Sequence, residues 1–510
     1  MAAMAQSRRG GRAARRKERI GGPLVQKRYI TRQIPVYELL DAAGLDLIHD
    51  TSMEILEEIG IDFRDGTALA QWKEAGADVQ GERVRIPREL IAEKLELIPE
   101  TYTQVARNPD RNVVIGGKNT VFAPTFGSPF VRDFDNQRRY ATLEDLQNFI
   151  KLTYMTPVLH HDGGIICEPI DVPVPKRHLD IIYSHIKLSD KPFMGVQSAP
   201  ERALDSCLMC QILFGEDFLN DNVVMTSVVN CNSPLVWDAS MLGSLRHYAS
   251  FGQSVLVTPF IMAGAMAPVA TAGAVAQLNA EVTAGLAYSQ LVKPGTPMVY
   301  GSFLSTVSMQ SGAPMMGTPE TLQMIYCCTQ LARRYKVPVR SGGMLTGAKV
   351  ADAQAAYESM QTMTATLLAG TNFILHSAGW LEAGLAAGYA KFIMDAEQIA
   401  MLQSFSAGID LSDNGLAMDA IREVGPGSHY LGCAHTQRNY LAGFFIPEVA
   451  DNNSFEQWEA EGARTHDQRS ARIAQDRLAQ YEPPPLDEGL DEALQDFMTR
   501  RKAELPDGVT

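Results

Sequence analysis

Between residues 119 and 405 the chain alternates short apolar runs with longer stretches of helical periodicity, and nothing else restricts its fold so strongly. Strand-like runs fall at 119–127, 158–166, 192–198, 223–231, 254–260, 296–302, 337–343 and 371–377. They are nearly continuous in apolar character, as strands covered on both faces of a parallel sheet must be. Helical patterns lie between them, near 142–154, 175–188, 201–214, 238–250, 269–291, 319–335 and 352–369, and an eighth at 388–405 closes the series. Eight βα units in about 290 residues match a (β/α)8 TIM barrel in number and length. A doubly wound open sheet is the runner-up. It is weakened because no strand is followed by a G-x-G-x-x-G turn.

The flanks differ in kind. Residues 1–28 carry nine Lys/Arg against a single acid, Glu18, and read as a solvated basic tail, since blocks of like charge stay unfolded. A transit peptide or a polyanion-binding arm are the alternatives there. Residues 29–118 form an α+β lead-in, with helical spacing over 36–60 and a hairpin signal around the Gly116-Gly117 pair. Residues 406–510 read as a helical extension that packs on the barrel or on a partner subunit. The net charge of −14 argues against a nucleic-acid binder. From Tyr248 to Ala280 no charged residue occurs, but prolines and polar residues interrupt the run. A buried strand followed by a small-residue helix explains it better than a bilayer span. Seven cysteines, an odd number in apolar settings, suit free thiols in a reducing cytoplasm.

In a barrel the chemistry sits where strands end and βα loops begin. Those positions hold Phe126 and Ser128; His160, His161 and Asp162; Gln197; Asn230, Asn232 and Trp237; Phe260; Tyr300, Ser302 and Phe303; Arg340 and Ser341; His376 and Trp380. The set is aromatic and mostly neutral. No H-E-x-x-H, Walker A or G-x-S-x-G sequence is present, and Cys207 with Cys210 forms a lone C-x-x-C whose better reading is core packing. His160-His161-Asp162 is the single cluster with metal-ligand character, although only one of its two histidines can face the lumen. Aromatic walls have a specific use: a quaternary ammonium donates no hydrogen bond and is held by π faces, at about 0.5–2 kcal/mol each.

Four long segments carry a resemblance: PFIMAGAMAPVATAGAVAQLNAEVTAGLAYSQLVKPGTPMVYGSF, GAPMMGTPETLQMIYCCTQLARRYKVPVRSGG, ADAQAAYESMQTMTATLLAGTNFILHSAG and GPGSHYLGCAHTQRNYLAGFFIP. Together they resemble the trimethylamine methyltransferase family, over most of the chain from about residue 36 to the EPPPL stretch near residue 482. The resemblance implies a (β/α)8 barrel that moves a methyl group from a methylamine to Co(I) of a corrinoid carried by a separate small protein. Every letter here is a standard residue, so the pyrrolysine of the trimethylamine enzymes is absent. The chain looks like the non-pyrrolysine branch, whose characterised members demethylate quaternary amines such as glycine betaine. A sulfonium donor, a folate acceptor and a non-catalytic betaine-binding protein are the alternatives. One departure is Cys433-Ala434-His435-Thr436, where relatives read H-P-H-T.

Roles follow from that resemblance as expectations. His376, in FILHSAG, is the catalytic candidate, binding a substrate carboxylate or positioning the methyl group. Asn230 and Asn232 are assigned the anionic end of the substrate, with turn formation as the competing explanation. Trp237, Tyr300, Phe303 and Trp380, with Phe126 and Phe260, are the expected cation walls. Gly342 and Gly343 permit close approach by the corrin, or else form a tight turn, and His161 is placed with them on the cofactor side. No metal is expected to be bound by the chain itself, and a homo-oligomer is expected.

Overall fold

The computed structural model describes residues 28–508. The basic tail therefore lies outside the described residues, apart from Arg28 at its end. An α/β fold is built around one curled sheet of eight strands: β1 (Ile30–Thr31), β2 (Asn119–Phe122), β3 (Phe193–Met194), β4 (Met225–Val229), β5 (Ser254–Val257), β6 (Met298–Gly301), β7 (Val339–Gly342) and β8 (Phe373–Leu375). The spatial order is β1-β2-β8-β7-β6-β5-β4-β3, with β2 to β8 mutually parallel and β1 antiparallel on β2.

The strand expected at 158–166 is not one. His160 and His161 both donate their N–H groups to the Phe122 carbonyl, so the ladder slips as it does at a bulge. Beyond them Asp162 donates to the Pro192 carbonyl, and the Gly163 carbonyl accepts from Met194. Gly163, at φ +70°, then turns the chain away. An irregular segment thus runs from β2 to the edge strand β3.

The helices lie where periodicity places them: α1 (Leu143–Tyr154), α2 (Arg177–Leu188), α3 (Pro200–Phe214), α4 (Ala239–Ser250), α5 (Thr271–Val292), α6 (Pro319–Arg334), α7 (Ala353–Ala369) and α8 (Tyr389–Ser406). Several start on a side-chain cap that satisfies a free N–H, as Thr142, Asp238, Thr318 and Asp352 do. In α1 the buried Leu146, Phe149, Ile150 and Thr153 form the stripe that faces the sheet. Helix α5 is buried from Ala274 to Gln290, because the lead-in helices Ala42–Glu54 and Arg88–Leu95 cover its outer side. That second cover explains the charge-free run. No helix among the described residues is long and apolar enough to cross a membrane.

One end of the sheet is plugged. The hairpin Thr101–Gln104/Val113–Gly116 inserts Tyr102, Val113 and Ile115 into a cluster with Val121, Met194, Val228, Leu256, Val299, Phe373 and Leu375. Gln104 donates to the Phe193 carbonyl and Ser254 to the Tyr102 hydroxyl, which places the plug at the N-terminal ends of the strands. At the opposite end two small sheets form the rim. One pairs Phe260–Ala263 with Phe303–Val307, and the other joins Trp380–Leu381, Ala386–Gly388, Phe130–Arg132 and Arg138–Tyr140. In the C-terminal part, helix α9 (His466–Ala479) packs along α8. Helix α10 (Glu488–Glu504) is tied to α2 and α3 by Lys187–Asp491, Lys502–Asp180 and Arg501–Asp205 ion pairs.

Candidate active site

Side-chain parity along each strand decides what reaches the C-terminal mouth. In β7, Val339 packs into the outer core and Arg340 turns inward; in β8, Phe373 and Leu375 face the interior cluster. The residue after β8 is His376, held at φ +61°, a left-handed conformation that costs a non-glycine residue about 1–3 kcal/mol. Its backbone is fixed from both sides: N–H donates to the Pro124 carbonyl, and the carbonyl accepts from Met344. The twist brings the imidazole edge-on to Trp380 at 4.4 Å and tilted against Phe303 at 5.2 Å. Phe303 in turn meets Trp380 at 5.8 Å and Phe260 at 5.0 Å. The Trp380 indole is anchored by its N–H on the Thr346 carbonyl at 3.2 Å.

Four of the expected residues are therefore brought together: Phe260, Phe303, His376 and Trp380. Phe126 is separate from them, half-buried over the interior aliphatic cluster. Burial, and next the Arg340 charge, hold the His376 imidazole well below its ordinary pKa, so it is neutral near pH 7. Its Nδ1 has no hydrogen-bond partner, and neither do Thr258 Oγ1, Gln197 Oε1 or Arg340 Nε. Buried polar atoms are normally satisfied, so the orphaned His376 Nδ1 and Arg340 Nε, whose side chains both lie against Phe303, mark a place where a ligand completes the bonding.

Other expectations are corrected. Tyr300 follows the inward-facing Val299, so parity turns it out into the helix layer, where its hydroxyl donates to Asn279 Oδ1 at 3.0 Å. Trp237 is fully buried in a short strand parallel to Ile61–Phe63, its indole seated where any Cβ on Gly285 would collide. Neither is a wall of the mouth. Gly342 and Gly343 leave no open face: a Cβ on the first would strike Leu345, and on the second Met363 and Ile374. They make a tight turn, not a corrin-facing surface. His161 does face inward, but at the plugged end: Nε2 meets Gln104 Oε1 at 3.2 Å, Nδ1 accepts from Gly163 N–H, and Phe373 lies edge-on at 5.0 Å. It cannot touch a cofactor arriving at the mouth.

Asn230 and Asn232 are exposed where β4 ends, and Asn232 N–H donates to the Val236 carbonyl, closing a turn. His435 is half-buried, with its Nε2 on the Asn414 carbonyl. The His160-His161-Asp162 cluster is buried between β2 and β3. Burial pushes the Asp162 carboxyl up to about 7, and the nearby Lys191 ammonium donates to the carbonyls of Thr153, Thr156 and Leu159. Cys207 and Cys210 are buried in α3, and burial raises both thiols. Among the described residues no group of three or more His, Cys, Asp or Glu side chains is placed to hold a metal ion. Among the strand-end residues that sequence reasoning left without a role, Arg340 stands out by its burial and charge. Its signal was a lone charge inside the apolar strand VPVRSGG.

Comparison with known proteins matches residues 8–506 to the family model of trimethylamine methyltransferase. The chain is 43% identical to a glycine betaine methyltransferase of Desulfitobacterium hafniense, over 92% of this chain and 98% of that protein. It is 29% identical to a proline betaine:corrinoid methyltransferase of Eubacterium limosum, over 78% and 83%. A crystal structure of the hydroxylamine complex of MtmB shares the fold at a TM-score of 0.50 and 12% identity, covering 89% of this chain and 97% of that one.

Proposed function

The chain belongs to the trimethylamine methyltransferase family, and we propose that it moves a methyl group from a glycine betaine-like quaternary ammonium compound to Co(I) of a corrinoid carried by a separate small protein. One observation carries this reading beyond kinship: the Phe303, His376 and Trp380 rings meet at the strand C-termini, with His376 Nδ1 and the adjoining Arg340 Nε left without partners. A quaternary ammonium releases a neutral tertiary amine when its methyl group departs, so the chain need supply no proton. Its task is to hold the cation against π faces, exclude water and aim one methyl carbon outward at the cobalt, an orientation effect. A neutral His376 fits that task, since a protonated imidazole would repel the substrate. The corrinoid protein docks, in this reading, over the rim sheets.

The same proposal includes a closed barrel, with the 160–163 segment as the irregular eighth stave, between a lead-in at 29–118 and an extension from 406. It also includes a cytoplasmic setting, supported by seven unpaired cysteines, and a homo-oligomer. The last is supported by the exposed Ile409, Leu411, Leu431 and Phe444 in the extension, and sedimentation velocity tests it.

The test of function mixes purified protein with Co(I) corrinoid and candidate donors while cobalt absorbance is followed. Methyl-Co(III) formed from glycine betaine is the expected result. Turnover only with a sulfonium, or only with a folate acceptor, replaces the proposal, and binding without any turnover makes the chain a betaine-binding protein.

A further inference from the structure

Arg340 is an unusual group to find at the heart of such a mouth. It is 1% exposed, and its register between Gly301 on β6 and Phe373 on β8 directs it inward. Nη1 donates to the Ser302 carbonyl at 3.0 Å, and the guanidinium lies 5.1 Å from the centre of the Phe303 ring. No Asp or Glu among the described residues forms an ion pair with it, and Nε has no partner at all. The other buried arginine-facing acids in the protein are matched, as Asp145 is by Arg139 and Glu382 by Arg132 and Arg138. A buried cation without a counter-ion is costly, and guanidinium is the side chain whose planar fork best fits a carboxylate. Burial brings its pKa down to about 9, which still leaves it charged near pH 7.

A bare cation is therefore a poor guest here. Arg340 repels any quaternary ammonium that brings no anion of its own, whereas a zwitterion places its carboxylate on the guanidinium and its trimethylammonium group against the rings. Phe303 spaces the two poles, with Arg340 at 5.1 Å and Trp380 at 5.8 Å from its ring centre. We propose that Arg340 is the carboxylate anchor of the site and its specificity filter, admitting short zwitterionic betaines and rejecting purely cationic quaternary amines. This deepens the methyl-transfer reading and rests on it for the identity of the cationic pole. It moves the anionic pole from the exposed Asn230 and Asn232 at the rim to a buried charge beside His376.

The test is calorimetric titration of the full chain with glycine betaine and with tetramethylammonium, which has the same cationic head and no carboxylate. Wild type is expected to bind glycine betaine and to bind tetramethylammonium at least about a hundred-fold more weakly. Arg340→Gln is expected to lose about a hundred-fold in betaine affinity and to gain affinity for tetramethylammonium, a reversal that a purely structural role would not produce. Retention of betaine affinity within threefold in Arg340→Gln overturns the proposal, as does equal binding of the two ligands by wild type or an absence of betaine binding. Should Arg340→Gln fail to fold, Arg340→Lys keeps the charge and loses the fork. About tenfold weaker betaine binding, with tetramethylammonium still rejected, is the supporting result, and unchanged betaine affinity or admission of tetramethylammonium the overturning one. Betaine binding that depends on Arg340 without methyl transfer to cobalt upholds the anchor and removes the methyltransferase reading, so the two fail separately.

Discussion

His161 and His376 both point into the same barrel-like interior, both are almost completely buried, and burial holds both well below the ordinary imidazole pKa. They differ in what surrounds their nitrogens. His161 sits at the plugged end with both nitrogens engaged, by Gln104 and by the Gly163 N–H, on backbone with no strain. His376 sits at the opposite, C-terminal end with Nδ1 unpartnered, on a left-handed backbone, against two aromatic rings. A satisfied buried group reports on stability, and an unsatisfied, strained one reports on function.

The sharpest way to break that contrast is to delete each imidazole. His376→Ala is expected to lower methyl transfer by at least about a hundred-fold while the melting profile stays near wild type. His161→Ala is expected to do the reverse, costing about 2–4 kcal/mol of stability through a cavity and an orphaned Gln104, with turnover per folded molecule retained. Turnover assays and thermal melts on both variants check this, and unchanged turnover in His376→Ala would remove it from the site.

The buried histidines also set a pH dependence. His161, His185 and His376 are neutral in the fold, with His185 brought down to about 4 by burial, so the unfolded chain binds more protons below pH 6.5. Stability therefore falls as pH drops from about 6.5 to about 4, by on the order of 3 kcal/mol for His185 alone. Asp162 and Asp395, raised by burial to about 7 and about 6, and Glu281, also raised by burial, contribute with the opposite sign in this window. His49 and His247, lowered chiefly by burial, add to the fall. A melting temperature that rises on acidification would contradict the assignment.

A smaller effect separates the mouth from the helix layer. Trp380→Leu is expected to raise KM for the quaternary amine about 2- to 30-fold, the worth of one π face. Tyr300→Phe, whose ring lies in the helix layer, is expected to leave KM unchanged and to lose about 1 kcal/mol with its Asn279 bond.

These contrasts mark where sequence reasoning was sufficient. The eight helices and the parallel order of β2 to β8 were legible because apolar periodicity is the direct cause of both. Strand-end position singled out His376, Phe303, Trp380 and Phe260, which the fold brings together, since the C-terminal rim is where side chains escape the core. It failed for Tyr300 because one residue of parity separates lumen from helix layer, and for Trp237 because its short strand pairs with Ile61–Phe63 of the lead-in, a tertiary contact. It failed for the 158–166 stave because a bulge is decided by two N–H groups competing for the Phe122 carbonyl, a tertiary event. Arg340 stood in the sequence as an isolated charge, but its lack of a counter-ion is visible only once every neighbouring acid is placed.

The smallest expected effect concerns the rim. Asn232 is exposed, and the contact that orders its backbone is its own N–H on the Val236 carbonyl, a turn that alanine can also make. Asn232→Ala is thus expected to keep KM for glycine betaine within about twofold and stability within about 0.5 kcal/mol, the usual range for a surface change. Steady-state kinetics beside a melt decide it. A tenfold rise in KM with stability unchanged would mean that the anionic pole of the substrate is read at the exposed rim, and that a group can serve binding here without being buried or unsatisfied.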